Sequence, residues 1–112
     1  MLKFIRRILA SNRPNINQLI DDGALIIDVR SPAEFRGGHC KNSMNIPLQS
    51  IDKKISSLRK QNKVIITCCA SGMRSGRAAK VLNSAGLEAY NGGAWTAVEL
   101  SLIHISEPTR PY

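Results

Sequence analysis

Apolar positions along this chain fall into short continuous runs separated by stretches with a helical repeat, a pattern that predicts strands alternating with helices. Ile16, Leu19 and Ile20 share one helix face, with Asn15 placed to cap its start and Gly23 to end it. Ala24 to Asp28 reads as a strand. Ser31, Pro32 and Glu34 then fall at the N-cap, first and third positions of another helix, a capping box with proline where its missing N–H costs nothing. Ser50 opens the next helix, whose Ile51, Ile55 and Leu58 repeat on one side while Lys53, Lys54, Arg59 and Lys60 stay in water. The β-branched run Val64 to Cys68 predicts a buried parallel strand. Ser75 to Ala85 carries Ala78, Val81, Leu82 and Ala85 at helical spacing and stops at Gly86, and Leu87 to Tyr90 reads as a last short strand. This order implies an α/β fold in three layers, a central, mainly parallel sheet with helices on both faces.

The two ends read differently from the middle. Residues 1–14 form a basic amphipathic segment in which Lys3, Arg6 and Arg7 break up the apolar residues, so they lack the continuous apolar core of a signal peptide or membrane span. Packing on the domain, or a frayed end, outweighs membrane contact for such a segment. The domain is expected over residues 15–100. Pro108, Pro111 and mixed polarity make 101–112 read as an unstructured or non-native tail, and His104 within it is given no role.

Composition narrows the picture. The 112 residues suit one compact domain with one core. A formal charge of +8 could suggest nucleic acid, but an aromatic content of 4% offers few stacking platforms for bases, so a solvated basic surface is the expectation and nucleic-acid binding is not. That surface would help draw in small anions. Three cysteines, Cys40, Cys68 and Cys69, make neither an even secreted framework nor a C-x-x-C zinc pair, which places the chain in a reducing compartment, the cytoplasm, with no metal expected.

Candidate chemistry concentrates in Cys69-Ala70-Ser71-Gly72-Met73-Arg74-Ser75, where the buried strand stops and a helix begins. Gly72 lets the backbone turn tightly enough for successive N–H groups to point inward, forming an anion cradle. Beneath a helix N-terminus and beside Arg74, Cys69 should be held partly as thiolate. Two registers compete. Counted from Cys68 the segment spells C-x5-R, like the phosphate loop of cysteine-dependent phosphatases; counted from Cys69 it is C-x4-R. In the phosphatase pattern a glycine usually stands three positions after the nucleophile, and Gly72 is three after Cys69, so the glycine selects Cys69. The shorter ring suits the terminal sulfur of a persulfide more than a phosphoryl group.

Several separated segments resemble the single-domain rhodaneses, a sulfurtransferase family. Asp28-Val29-Arg30 with Glu34-Phe35 and Gly38-His39 is similar to the family's D-V-R-x-x-x-E-F-x-x-G-H signature, and Asn45-Ile46-Pro47 to its N-I-P turn. Cys69 to Ser75 matches its C-x-x-G-x-R-S loop, and Tyr90-Asn91-Gly92-Gly93 with Trp95 resembles its G-G-x-x-W region. The resemblance implies transfer of a sulfane sulfur from thiosulfate or a persulfide to a thiophilic acceptor through a Cys69 persulfide, with no cofactor. Ala70, Ser71, Gly72, Met73, Arg74 and Ser75 would bind a small anionic sulfur donor, and cyanide, a thiol or a partner protein would accept. The rivals are a phosphatase or arsenate reductase, and a carrier or interaction module that is not itself a catalyst.

The remaining residues have plainer readings. Cys68 ends its strand and is expected in the core; Cys40 is expected to act as a small hydrophobe. Asp28 and Arg30 should pair at the strand-to-helix junction, and His39 should bond nearby backbone, since a thiolate made by local dipoles needs no base. Arg74 is expected both to brace the loop and to bind substrate, Glu34 to be structural, and Trp95 to sit in the core or at its rim.

Overall fold

A computed structural model describes residues 15–106, and the 1–14 segment and residues 107–112 lie outside that range. The described chain runs α1 (Ile16–Asp21), β1 (Leu25–Asp28), α2 (Pro32–Arg36), β2 (Met44–Asn45), a 3-10 helix (Leu48–Lys54), α3 (Ile55–Gln61), β3 (Ile65–Cys69), α4 (Met73–Ser84), β4 (Ala89–Ala94) and α5 (Trp95–Ser106). The four strands form one sheet in the order β2-β1-β3-β4, every neighbouring pair parallel.

Strand β3 shows why the sheet needs cover on both faces: all five of its residues are buried, with Ile65 and Cys69 in one apolar cluster and Cys68 in another. Ile65 and Cys69 join Ile27, Val29, Ile51, Leu58, Ala78 and Leu82 beneath the 3-10 helix, α3 and α4. Cys68 turns the other way, into a cluster with Ile26, Cys40 and Val98, against which Ile20, Trp95 and Leu102 of α1 and α5 pack. The expected three-layer architecture is therefore present.

Local signals act as expected at several junctions. The Asn15 side chain accepts from the N–H of Gln18, and Ser31 and Glu34 make both halves of a capping box ahead of α2. Differences lie at boundaries. The helix expected from Ser50 instead starts as a 3-10 turn at Leu48, tightened by the Ser50 N–H donating to Pro47 O at 2.8 Å, and becomes α-helical only at Ile55. The last strand, expected over 87–90, runs on to Ala94, pairing Cys69 with Ala94 past an irregularity between Thr67 and Cys69. The chain also remains ordered beyond residue 100: α5 continues to Ser106 because Trp95, Val98 and Leu102, spaced three and four apart, face the second cluster. That corrects the reading of 101–112 as an unstructured tail over its first half. No helix among the described residues is long and apolar enough to cross a membrane.

Candidate functional site

Chain order fixes where a site can form. From β1 the chain passes outward to β2, and from β3 it passes the opposite way to β4, so the loops leaving the carboxyl ends of the adjacent strands β1 and β3 diverge. Parallel sheets bind their ligands in the crevice such divergence opens. Cys69 ends β3 at that point, and α4 begins four residues later.

The loop curls because Gly72, the N-cap of α4, takes φ +103°, a left-handed conformation that a side chain would strain and where a Cβ would lie 3.3 Å from Gly93 Cα. The turn aims donors at the sulfur. Cys69 Sγ accepts from Gly72 N–H at 3.0 Å, from Ser75 N–H at 3.4 Å and from the Ser75 hydroxyl at 3.4 Å. Ser75 lies in the first turn of α4, where N–H groups have no carbonyl one turn back to receive them. Burial of Cys69, 1% exposed, pushes its thiol pKa up, but the Ser75 hydroxyl and the N–H groups of Ser75, Gly72 and Ser71 outweigh it, and the net direction is down.

Neighbouring elements lock this geometry. Thr67 Oγ1 donates to Ser75 O at 2.8 Å. Asn91, on β4, ties three parts together: its Nδ2 donates to Gly72 O at 3.0 Å, and its Oδ1 accepts from Gly93 N–H at 2.9 Å and from the Ser75 hydroxyl at 2.7 Å. Sequence reasoning noted Asn91 only as part of a motif. The signal that marks it is an amide side chain immediately before Gly92-Gly93 on the strand parallel to the one ending in Cys69.

Among the other residues singled out, Asp28 and Arg30 pair while buried, with Nε of Arg30 at 2.9 Å from Oδ1 and Nη2 at 2.7 Å from Oδ2 of Asp28; Nη2 also donates to Gly38 O at 2.6 Å. The Arg30 guanidinium lies over the Trp95 ring, 4.9 Å from its centre. His39 Nδ1 sits 2.6 Å from Phe35 O and its ring stacks on Phe35, so it faces its own helix turn. Cys68 is fully buried on the far face from Cys69; its thiol donates to Cys40, which with burial holds Cys68 protonated, while Cys40 Sγ donates to Trp95 O at 3.1 Å. Among the described residues no group of three or more His, Cys, Asp or Glu side chains could hold a metal ion.

One pairing was not foreseen. Arg74 Nη1 and Nη2 donate to Glu34 Oε1 and Oε2 at 2.9 and 3.1 Å, so the arginine of the loop is engaged by a carboxylate from α2. Glu34 is structural, as expected of a capping residue, but it has a second partner forty positions along the chain.

Comparison with known proteins agrees with the geometry. The family model of the Rhodanese-like domain matches residues 14–97. The chain is 42% identical over 69 residues to an uncharacterized protein of Bacillus subtilis, YqhL, covering 61% of this chain and 54% of that one. It is 31% identical over 61 residues to the thiosulfate sulfurtransferase PspE of Escherichia coli, covering 54% of this chain and 59% of that one. The match thus spans little more than half the length of either relative. A solved structure of a rhodanese with anions from E. coli superposes with a TM-score of 0.62 at 26% identity, covering 67% of this chain and 91% of that chain.

Proposed function

The chain belongs to the rhodanese-like family, and on that premise we propose that it transfers a sulfane sulfur from thiosulfate or a persulfide donor to a thiophilic acceptor, with Cys69 as the carrier. The observation that carries this reading is the convergence of Gly72 N–H, Ser75 N–H and the Ser75 hydroxyl on one buried sulfur whose pKa they lower.

The cycle has two displacements. Cys69 thiolate attacks the outer sulfur of the donor, an S–S bond forms on Cys69 as the donor's own S–S bond breaks, and sulfite or a thiolate leaves with the electron pair. The donors that steady the thiolate then face the persulfide, whose terminal sulfur they hold until cyanide, a thiol or a partner protein removes it. The loop of Ala70, Ser71, Gly72, Met73, Arg74 and Ser75 would bind the donor. A reducing compartment, the cytoplasm, belongs to the same proposal, because Cys40, Cys68 and Cys69 are all free thiols.

The phosphatase reading needs Cys68 as nucleophile, and Cys68 lies on the opposite face of β3, hydrogen-bonded to Cys40 and away from the loop donors. Intact-mass measurement after incubation with thiosulfate or a persulfide tests the choice. Wild type and Cys68→Ser should gain one sulfur atom; Cys69→Ser should gain none. Sulfur retained in Cys69→Ser and lost in Cys68→Ser would overturn the assignment, and sulfur gained only in the presence of a dedicated protein donor would favour a carrier.

A further inference from the structure

The positive charge in the loop is already matched. Glu34 and Arg74 form a bidentate pair, and both side chains remain partly exposed, at 37% and 39%, so the pair stands at the mouth of the crevice and not in the core. Its two members come from α2, which follows β1, and α4, which follows β3; the pair therefore bridges the two loops that diverge at the switch point. Glu34 is fixed in place by a second donor, the Ser31 N–H, at 3.0 Å from Oε1. Arg74 draws the Glu34 carboxyl pKa down to about 2, so the pair persists across the neutral range. The arginine after β1 is matched as well, since Arg30 is held by Asp28. The residue before Arg74 is apolar and open to solvent: Met73 is 74% exposed.

We infer that Glu34 and Met73 set donor choice at the Cys69 site, selecting an organic persulfide, R–S–SH, over thiosulfate. The inference rests on the sulfur-transfer reading above. Thiosulfate is a dianion whose sulfonate must sit outside the sulfur that Cys69 attacks. At this mouth it meets a carboxylate, a guanidinium already holding that carboxylate, and a thioether. An organic persulfide presents only its neutral R–S– end there, which Met73 can cover. The step balances without a further reactant. Cys69–S⁻ attacks the terminal sulfur of R–S–SH, the Cys69–S–SH bond forms as the donor S–S bond breaks, and R–S⁻ leaves with the electron pair to take a proton from water.

Glu34→Gln is the informative substitution, because glutamine can still accept the Ser31 N–H and complete the capping box while losing the charge that holds Arg74. The rate of sulfur gain on Cys69 is measured by intact mass with thiosulfate and with the freshly prepared persulfide of mercaptoethanol. The ratio of kcat/KM for thiosulfate to that for the persulfide should rise by about tenfold in Glu34→Gln, and return to the wild-type value in Glu34→Gln with Arg74→Gln. Met73→Lys, at an exposed position next to Arg74 in the chain, should raise the same ratio by placing a cation on the rim. A merely structural Glu34 would lower both rates together and leave the ratio alone. That result, or a wild-type ratio already favouring thiosulfate, would overturn the inference while leaving sulfur transfer intact. No sulfur on Cys69 from either donor in any variant would overturn the transfer reading and this inference with it.

Discussion

Ser75→Ala isolates the side-chain share of thiolate stabilisation at Cys69. The Ser75 hydroxyl has one proton and two acceptors, Asn91 Oδ1 at 2.7 Å and Cys69 Sγ at 3.4 Å. Asn91 cannot turn to offer its amino group instead, because Gly93 N–H donates to Oδ1 and Nδ2 donates to Gly72 O. While Cys69 is a neutral thiol the proton therefore rests on Asn91. When the thiolate forms, the hydroxyl can swing to it, exchanging a neutral hydrogen bond worth about 1 kcal/mol for a charged one worth about 1.5–3 kcal/mol. The net gain is about 1 kcal/mol, or somewhat under one pKa unit at about 1.4 kcal/mol per unit. Replacing Ser75 should thus raise the Cys69 midpoint by about half to one unit while the Gly72 and Ser75 N–H groups keep it below the free-thiol range. Iodoacetamide alkylation followed against pH, with modification assigned to Cys69 by fragment mass, measures the midpoint; Cys68, whose thiol is held protonated, should label slowly. An unmoved midpoint would mean that the proton never leaves Asn91. A rise of two units or more would make the hydroxyl the chief donor and reduce the backbone cradle to a minor part.

Other perturbations test the scaffold. A Cβ at Gly92 would lie 2.8 Å from Ile66 Cγ2, 2.9 Å from Val98 Cγ2 and 3.0 Å from Thr67 O, so Gly92→Ala should lower stability in urea by about 1–3 kcal/mol, and an unchanged midpoint would show that β4 and α5 yield easily. Glu34 carries a folded pKa of about 2 against an ordinary 4.5, so its contribution is complete above about pH 4.5 and is lost as pH falls toward 2. The stability difference between wild type and Glu34→Gln should therefore be flat at neutral pH and close over that interval; a difference that persists to pH 2 would show that the carboxylate charge is not its source.

What could be read from sequence was what depends on neighbours along the chain. The Asn15 and Ser31 caps, the Asp28–Arg30 pair two residues apart and the left-handed Gly72 follow from short-range rules. What escaped depends on elements meeting in space. Glu34 had a sufficient local role as a capping residue, and its second role exists only because α2 and α4 converge above β1 and β3. Asn91 is an ordinary polar residue until the parallel register of β3 and β4 brings it under Gly72 and Ser75. The apolar spacing of Trp95, Val98 and Leu102 was legible, but the prolines at 108 and 111, which lie outside the described residues, weighed against helix.

Cys68 and Cys69 show how much chemistry a single step along a strand decides. Successive side chains of β3 point to opposite faces, so two identical thiols with adjacent α-carbons enter different media. On one face Cys68 meets Ile26, Val98 and the Cys40 thiol, a setting in which no N–H among the described residues is aimed at it, and burial there disfavours the anion. On the other, Cys69 is just as buried, yet the backbone turn at Gly72 and the first turn of α4 direct donors at its sulfur, so the anion is favoured despite desolvation. Burial is common to both residues and so cannot be what separates them. The difference is which face the loop curls over, and that follows from the register of β3, because a slip of one residue would turn Cys69 toward the cluster of Ile26, Cys40 and Val98 and Cys68 toward the opposite face. The register is held on both sides by neighbours, Asp28 of β1 opposite Cys68 and Ala94 of β4 opposite Cys69. The lowered pKa at position 69 is accordingly a property of the whole parallel sheet, and substitutions that loosen β1 or β4 should lower the thiolate fraction of Cys69 without touching the loop.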